Sequence, residues 1–174
     1  MSEKRDRGCE DDTLELGPLE PGDRAAVLDV FEGLSESSRR LRFHGAKPRL
    51  LEHEVDVLVD VGCCGREAVA AVERPSGRVV GIARFVRASG SSRSAEVAFA
   101  VVDRCQGFGI GNALVDELRE LALSQGIECF TAVVSAGNDP ALALMQRAGR
   151  VVQSSFVDGA HELVVELSAQ QQVA

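Results

Sequence analysis

The chain has 174 residues, a length typical of one domain built on one hydrophobic core. Its formal net charge is −8, and its bases are two Lys and seventeen Arg that form no basic run, which disfavours nucleic-acid binding. Seven Phe are the only aromatic residues, so any mechanism that depends on a tyrosine hydroxyl is excluded.

The first 102 residues are predicted to contain one strand, three helices and three further strands. Hydrophobic periodicity and turn residues place these elements. We expect Ser35 to cap the second helix. The predicted ranges are a strand at 13–19, helices at 23–34, 35–43 and 48–61, and strands at 68–73, 78–87 and 94–102.

The second half alternates helix and strand and then ends in a hairpin. Asn138 or Asp139 is expected to cap the last helix. The predicted ranges are a helix at 109–124, a strand at 127–134, a helix at 139–147 and hairpin strands at 150–156 and 162–167. This order predicts a mixed α/β single domain between a flexible N-terminal tail at 1–12 and a loose C-terminal tail at 169–174.

The five cysteines are odd in number and lack C-x-x-C spacing, which argues against a disulfide framework and against a zinc site. We therefore expect reduced thiols and no metal. The charged first twelve residues lack the apolar stretch of a signal peptide, and no segment reaches the ~18 apolar residues of a membrane span. A cytoplasmic protein without a membrane partner is the expectation.

The most informative stretch is a glycine-rich turn, Q-G-F-G-I-G at 106–111, between a predicted strand and a predicted helix. Glycines allow a ligand to approach the backbone, and amides at a helix N-terminus bind anions, so this turn can hold a pyrophosphate. A dinucleotide-binding motif would need the first strand and G-x-G-x-x-G spacing, and the lack of G-K-[ST] excludes a P-loop. From spacing alone, a pyrophosphate site and a corner that binds nothing are equal alternatives.

The same turn resembles the acyl-CoA motif Q/R-x-x-G-x-G/A of the GNAT N-acetyltransferases. Upstream, A-E-V-A-F-A-V-V at 95–102 resembles the strand that carries the catalytic glutamate of protein lysine acetyltransferases. Downstream, N-D-P-A-L-A-L-M-Q-R-A-G at 138–149 resembles the family pattern N-x-x-A-x-x-L-Y-x-x-x-G. S-E-S-S-R-R-L-R-F at 35–43 resembles a segment of Pat-type bacterial protein lysine acetyltransferases.

The resemblance implies one GNAT domain at 13–168, an α/β fold whose mixed, mostly antiparallel central sheet is flanked by helices. It also implies acetyl-CoA as the acyl donor, with the pantetheine arm on a strand that separates from its neighbour and the pyrophosphate on the glycine-rich turn. The residues implied to bind this cofactor are Phe99, Ala100, Val101, Val102, Gln106, Gly107, Phe108, Gly109, Ile110, Gly111 and Asn138.

Glu96 is the candidate catalytic residue. Acetyl transfer to an amine requires a base, because a lysine with a pKa of ~10.4 is almost wholly protonated at pH 7. Glu96 lies in an otherwise apolar strand, and we predict that partial burial raises its pKa toward the range of a general base. The alternative is a half-exposed glutamate paired with Arg84, Arg87 or Arg93; the family resemblance favours the base.

No tyrosine is available to protonate the leaving thiolate, as one does in many GNAT enzymes, because the corresponding position is Met145. We expect water to supply that proton. His44 is a further candidate for the acceptor site, although a capped helix end with solvated arginines is the more ordinary interpretation. Cys105 precedes the glycine-rich turn and is interpreted as a passive thiol rather than a reactive one.

These observations predict an N-acetyltransferase that moves an acetyl group from acetyl-CoA to a primary amine, with a protein lysine as the preferred acceptor. The alternatives are an acetyltransferase for small-molecule amines and a non-catalytic acyl-CoA-binding sensor or interaction module. The expected partners are acetyl-CoA and the amine acceptor, without nucleic acid or membrane, in a monomer or homodimer.

Overall fold

A computed structural model describes residues 14–63, 65–74, 76–90 and 93–168, so the predicted tails at 1–12 and 169–174 lie outside the described residues. Every helix and strand predicted above is present in those ranges, and the α/β class is confirmed. In chain order the elements are β1 (Leu14–Pro18), α1 (Arg24–Glu32), α2 (Glu36–Phe43), α3 (Glu52–Val59), β2 (Arg66–Glu73), β3 (Arg78–Arg87), β4 (Ser94–Val101), a 3₁₀ turn (Asp103–Cys105), α4 (Ile110–Ser124), β5 (Cys129–Ser135), α5 (Asp139–Ala148), β6 (Gly149–Val157) and β7 (Ala160–Leu167).

Side-chain caps explain where several of these helices begin. Ser35 Oγ accepts the N–H of Ser38 at 3.2 Å and starts α2, as predicted. Asn138 Oδ1 accepts the N–H of Ala141 at 3.3 Å and starts α5. The third helix is shorter than predicted, because Leu51 is extended and its N–H is bound by the carboxylate of Glu54 at 2.7 Å.

In the described part of the chain the strands form one seven-stranded sheet in the order β1-β2-β3-β4-β5-β7-β6. Neighbouring strands are antiparallel except β4 and β5, which are parallel. The parallel pair requires a crossover, and α4 provides it. The predicted mixed, mostly antiparallel sheet is thus confirmed.

Helices cover both faces of the sheet. On one face, α1, α2 and α3 lie over the side chains of Ile82 and Arg84 on β3. On the other face α4 approaches β3 so closely that a Cβ at Gly81 would lie 2.9 Å from the side chain of Leu114. Within the described ranges, no helix has both the length and the apolar character needed to span a bilayer.

Candidate active site

A large cleft opens where β4 and β5 separate. Their parallel ladder ends at the pair Glu96 and Thr131, and the cleft beyond it has a volume of about 860 Å³. This size is within the range of small-molecule and cofactor sites. The predicted separation of this strand from its neighbour is therefore confirmed.

The cleft brings together most of the residues implied to bind the cofactor. Those in its wall are Phe99, Ala100, Val101, Gln106, Gly107, Gly109, Gly111 and Asn138. Val102, Phe108 and Ile110 are not in the wall: Val102 and Ile110 are buried in the core, whereas Phe108 is 48% exposed. The N–H of Val102 also donates to the carbonyl of Val80 at 2.9 Å, so this amide is not available to a ligand.

Several wall residues were not singled out from the sequence. They are Ser38, Leu41 and Arg42 of α2, Asn112 of α4, and residues 132–134 of β5. The α2 residues belong to the segment at 35–43 that carried the Pat-type resemblance, so a signal for them was present in the sequence. The sequence contained no signal for the β5 residues, because only the parallel pairing of β5 with β4 brings them to the cleft.

The glycine-rich turn presents main-chain amides at one end of the cleft. Gly107 and Gly109 have φ values of 82° and 83°, a backbone conformation that favours glycine. Gly109 is the N-cap of α4 and makes no side-chain cap, and the first turn of this 15-residue helix carries no acidic residue. Since the first amides of a helix lack intrahelical partners, the turn combines free donors with the positive end of the helix dipole.

Gln106 fixes this turn to the end of β4. Its Nε2 donates to the carbonyl of Val101 at 3.0 Å and to Asp103 Oδ1 at 3.3 Å. These two hydrogen bonds therefore fix the position of the glycine-rich turn relative to the end of the strand.

Glu96 lies on β4 at the point where the ladder ends, and its side chain lines the cleft. The predicted partial burial is wrong, because Glu96 is exposed. The alternative of an arginine-paired glutamate is also not observed: among the described residues Glu96 forms no hydrogen bond or ion pair, while Arg93 pairs with Glu128. The carboxylate of Glu96 thus lines the cleft without a partner among the described residues.

Met145 of α5 and Asn138, the N-cap of that helix, also line the cleft. Met145 is 1% exposed, so its thioether fills the position where the family pattern has a tyrosine. Asn138 uses its side-chain oxygen to cap α5. In the described wall the titratable side chains are Arg42, His44 and Glu96, and across the described ranges no group of three or more His, Cys, Asp or Glu is placed to hold a metal ion.

Cys105 departs from the expectation of reduced thiols. It is fully buried and disulfide-bonded, so it offers no reactive thiol to the cleft. Its side chain instead belongs to the core beneath the 3₁₀ turn that leads from β4 to α4.

His44 joins the two sides of the cleft. It ends α2 in the left-handed conformation, with a φ of 56°, and its Nδ1 lies 3.0 Å from Ser135 Oγ at the end of β5. The sequence suggested His44 as a residue that helps to shape the acceptor site, and the structure places it in the cleft wall. The long-range contact with Ser135 was not predictable from the local sequence.

Two arginines next to Glu96 have lowered pKa values. Burial and the positive charge of Arg84 lower the pKa of Arg42 to about 10, and Glu96 acts in the opposite direction. Burial is also the main reason for the lowered pKa of Arg84. Arginine side chains remain protonated at neutral pH, so two cations lie near Glu96.

Comparison with known proteins identifies this arrangement. The model described as the acetyltransferase (GNAT) family matches residues 36–149. The chain belongs to the GNAT acetyltransferase family. Acetyltransferase Pat from Mycolicibacterium smegmatis is 34% identical over 139 residues, and this chain spans only 40% of that curated relative's length, although the match covers 78% of the chain itself.

Solved structures give the same result. The GNAT domain of S. lividans PAT has a TM-score of 0.78 and 27% identity, with 88% of this chain and 90% of that chain covered. A cAMP-binding acyltransferase from Mycobacterium smegmatis has a TM-score of 0.62 and 26% identity, with 92% and 45% covered. A Salmonella typhimurium structure with its cofactor acetyl-CoA shares the fold, with a TM-score of 0.62 and 19% identity over 93% and 97% of the chains. The predicted GNAT fold and the resemblance to the Pat domain are confirmed.

Proposed function

We propose that residues 13–168 form a catalytic domain that transfers the acetyl group of acetyl-CoA to an amine, with Glu96 as the general base and a protein lysine as the acceptor. The observation that carries this proposal is the position of Glu96. It is an unpaired carboxylate, at the residue where β4 leaves β5, in the same cleft as the glycine-rich turn.

Acetyl-CoA fits the two ends of this cleft. The amides of the turn around Gly107 and Gly109 would bind the pyrophosphate, because they combine free donors with a helix dipole. The edge of β4 beyond Glu96 would bind the pantetheine arm by main-chain hydrogen bonds, since its ladder to β5 ends there. The structure from Salmonella typhimurium, which shares the fold, was solved with acetyl-CoA.

Acetyl transfer requires a base that deprotonates the amine and a proton donor for the leaving CoA thiolate. Glu96 would accept a proton from the ammonium group, directly or through one water, so that the amine lone pair is free. The lone pair then attacks the thioester carbonyl, the C–N bond forms, and main-chain amides of β4 stabilise the oxyanion. The carbonyl re-forms as the C–S bond breaks, and the amide nitrogen releases its remaining extra proton to water. Water would in turn protonate the CoA thiolate, because Met145 has no acidic proton to give.

A lysine on a protein surface suits the exposure of Glu96. A side chain presented from a large partner can reach an exposed carboxylate, whereas a small amine usually needs a site that surrounds it. The resemblance of 35–43 and of the Glu96 strand to protein lysine acetyltransferases supports the same choice. The formal charge of −8 is compatible with a cationic acceptor.

The test is mass spectrometry of a proteome incubated with labelled acetyl-CoA and the purified protein, beside its Glu96→Gln variant. The control is Glu117→Gln, an exposed glutamate on α4 outside the cleft wall. Labelled lysines that require Glu96 and tolerate loss of Glu117 would support the proposal. Labelled small amines alone would contradict the protein acceptor, and binding of acetyl-CoA without any transfer would identify a sensor instead.

A further inference from the structure

A second, smaller pocket adjoins the cleft on the face of β4 that α1, α2 and α3 cover. Its volume is about 40 Å³. We call it the arginine pocket, because its mainly apolar wall contains two basic side chains, Arg42 of α2 and Arg84 of β3. Leu34, Arg42, Ala98 and Ala100 line both spaces, so the arginine pocket is continuous with the candidate active site.

Arg84 is an unusual residue in this wall. It is only 8% exposed, and its Nε is buried without a hydrogen-bond partner. Among the described residues its guanidinium forms no hydrogen bond and no ion pair. Glu96 and Asp60 influence Arg84 only electrostatically. A buried guanidinium normally has its donors satisfied, so an unpartnered one that lines a cavity points to an anion-binding site.

Arg42 adds a second positive charge to the same pocket. Its guanidinium lies 5.0 Å from the centre of the Phe43 ring and has no hydrogen bond or ion pair in the described chain. The charge of Arg84 is one of the causes that lower its pKa, so the two cations repel each other. A carboxylate between them would offset this repulsion, and its two oxygens would accept hydrogen bonds from the N–H groups of both guanidinium groups.

We propose that the arginine pocket binds a carboxylate of the acetyl acceptor, so that the enzyme selects amines with an acidic group close by. This inference rests on the proposed function, because it assigns the charge of that reaction's acceptor. The donor does not explain the pocket: the pyrophosphate of CoA is assigned to the glycine-rich turn, and an acetyl group is uncharged. The pocket lies instead beside Ala98 and Ala100, next to the proposed base.

The size of the pocket restricts the ligand. A volume of about 40 Å³ has room for roughly three water-sized groups, which suits one carboxylate on a short chain. Two sources have this chemistry: an acidic side chain next to the target lysine in a protein, and the α-carboxylate of a free amino acid. Both would present the carboxylate a few bonds from the reacting amine.

The experiment compares matched acceptors with saturating acetyl-CoA. One pair consists of two capped lysine peptides that differ in a single residue. The charged peptide has a glutamate directly before or directly after the lysine, and its neutral twin has a glutamine at the same position. The other pair is free lysine and lysinamide. Each is assayed with the wild type, with Arg84→Met, with Arg42→Gln, and with the control Arg49→Gln, an exposed arginine between α2 and α3 that lines neither space.

We expect the wild type and Arg49→Gln to prefer one charged acceptor over its neutral twin by about tenfold or more in kcat/KM, the effect of one charge-assisted hydrogen bond. Both Arg84→Met and Arg42→Gln should lose this preference, so that kcat/KM for the charged acceptor becomes equal to kcat/KM for its neutral twin. Preference within the peptide pair would identify an acidic protein sequence, and preference for free lysine would identify an amino acid.

Two results would overturn the inference. One is an active wild type without preference in either pair, which leaves the acetyltransferase proposal intact. The other is a preference that both arginine variants retain. If no acceptor is acetylated at all, the proposed function fails by itself, and calorimetric binding of the charged and neutral acceptors to the acetyl-CoA complex then decides the arginine pocket. Equal affinities in that measurement would also overturn it.

Discussion

Glu96 and Thr131 form the last residue pair of the parallel ladder between β4 and β5. The cleft therefore begins at the residue that carries the proposed base. Main-chain groups that would otherwise pair with β5 become available directly after Glu96, and they do so on the strand that leads to the glycine-rich turn. The proposed base, the proposed thioester site and the proposed pyrophosphate site consequently lie on one continuous segment of chain.

Replacement of Glu96 by Gln should reduce turnover by ~10² or more at pH 7, because no base remains to deprotonate the amine. Affinity for acetyl-CoA should change by less than about twofold, since the proposed acetyl-CoA contacts are with the strand beyond Glu96 and with the glycine-rich turn. Steady-state kinetics and calorimetry measure the two effects. The defect should shrink as the pH approaches the lysine pKa of ~10.4, where the free amine becomes abundant.

The matched control for this variant is Glu117→Gln, which changes the net charge equally on an exposed face of α4. A Glu96→Gln enzyme with the same pH profile as the Glu117→Gln enzyme would refute the role of base.

The Gly109→Ala variant should weaken acetyl-CoA binding by about tenfold. Gly109 has a φ of 83°, and an alanine in the left-handed region costs roughly 1–2 kcal/mol, which would shift the amides of the turn. Gly77→Ala is the control, because Gly77 has a φ of 71° in the turn between β2 and β3, outside the cleft, and both sites have open space for a Cβ. Thermal unfolding without acetyl-CoA measures the stability of each variant, and the increase in stability on addition of acetyl-CoA measures binding.

Both glycine variants should lose similar unfolding free energy, and only Gly109→Ala should lose part of the stabilisation that the ligand adds. At a ligand concentration of 100 times the wild-type dissociation constant, tenfold weaker binding lowers this stabilisation from about 2.7 to about 1.4 kcal/mol. Equal ligand-induced stabilisation in the two variants would show that the turn does not bind the cofactor.

The local sequence was sufficient for features set by short-range interactions. The caps at Ser35 and Asn138 involve residues three positions apart, and the left-handed glycines lie within one turn. The exposure of Glu96 and the burial of Arg84 were not predictable in this way. Both depend on where α1, α2 and α3 pack against β3 and β4, and single-sequence periodicity contains no information on such tertiary packing.

Replacement of Arg84 by Met should increase the stability of the ligand-free protein by about 1 kcal/mol. Its buried charge has no described partner, so an apolar side chain of similar length removes a desolvation penalty. Arg119→Met is the opposite case. Arg119 is 3% exposed, but it pairs with Asp116 and Glu120, so its loss should cost roughly 1.5 kcal/mol, the value of a hydrogen bond to a charged group.

Chemical denaturation of both arginine variants measures the change in the free energy of unfolding, which should be an increase for Arg84→Met and a decrease for Arg119→Met. A destabilised Arg84→Met protein would mean that the guanidinium already has a stabilising partner in the ligand-free state, and the pocket would then have no unsatisfied charge to offer a substrate.

The bond between His44 and Ser135 should position α2 over the cleft for the acceptor. Their 3.0 Å contact connects the end of α2 to the end of β5, and both elements line the cleft. His44→Ala and Ser135→Ala should each raise the KM of the acceptor several-fold without changing the affinity for acetyl-CoA, and the double variant should be no worse than either single one. The control Ser155→Ala removes a comparable hydroxyl contact, to Glu162 in the last hairpin, and should leave KM unchanged. Additive effects of the two cleft substitutions in this double-mutant cycle would show that the side chains act independently, and the hydrogen bond would then have no part in positioning α2.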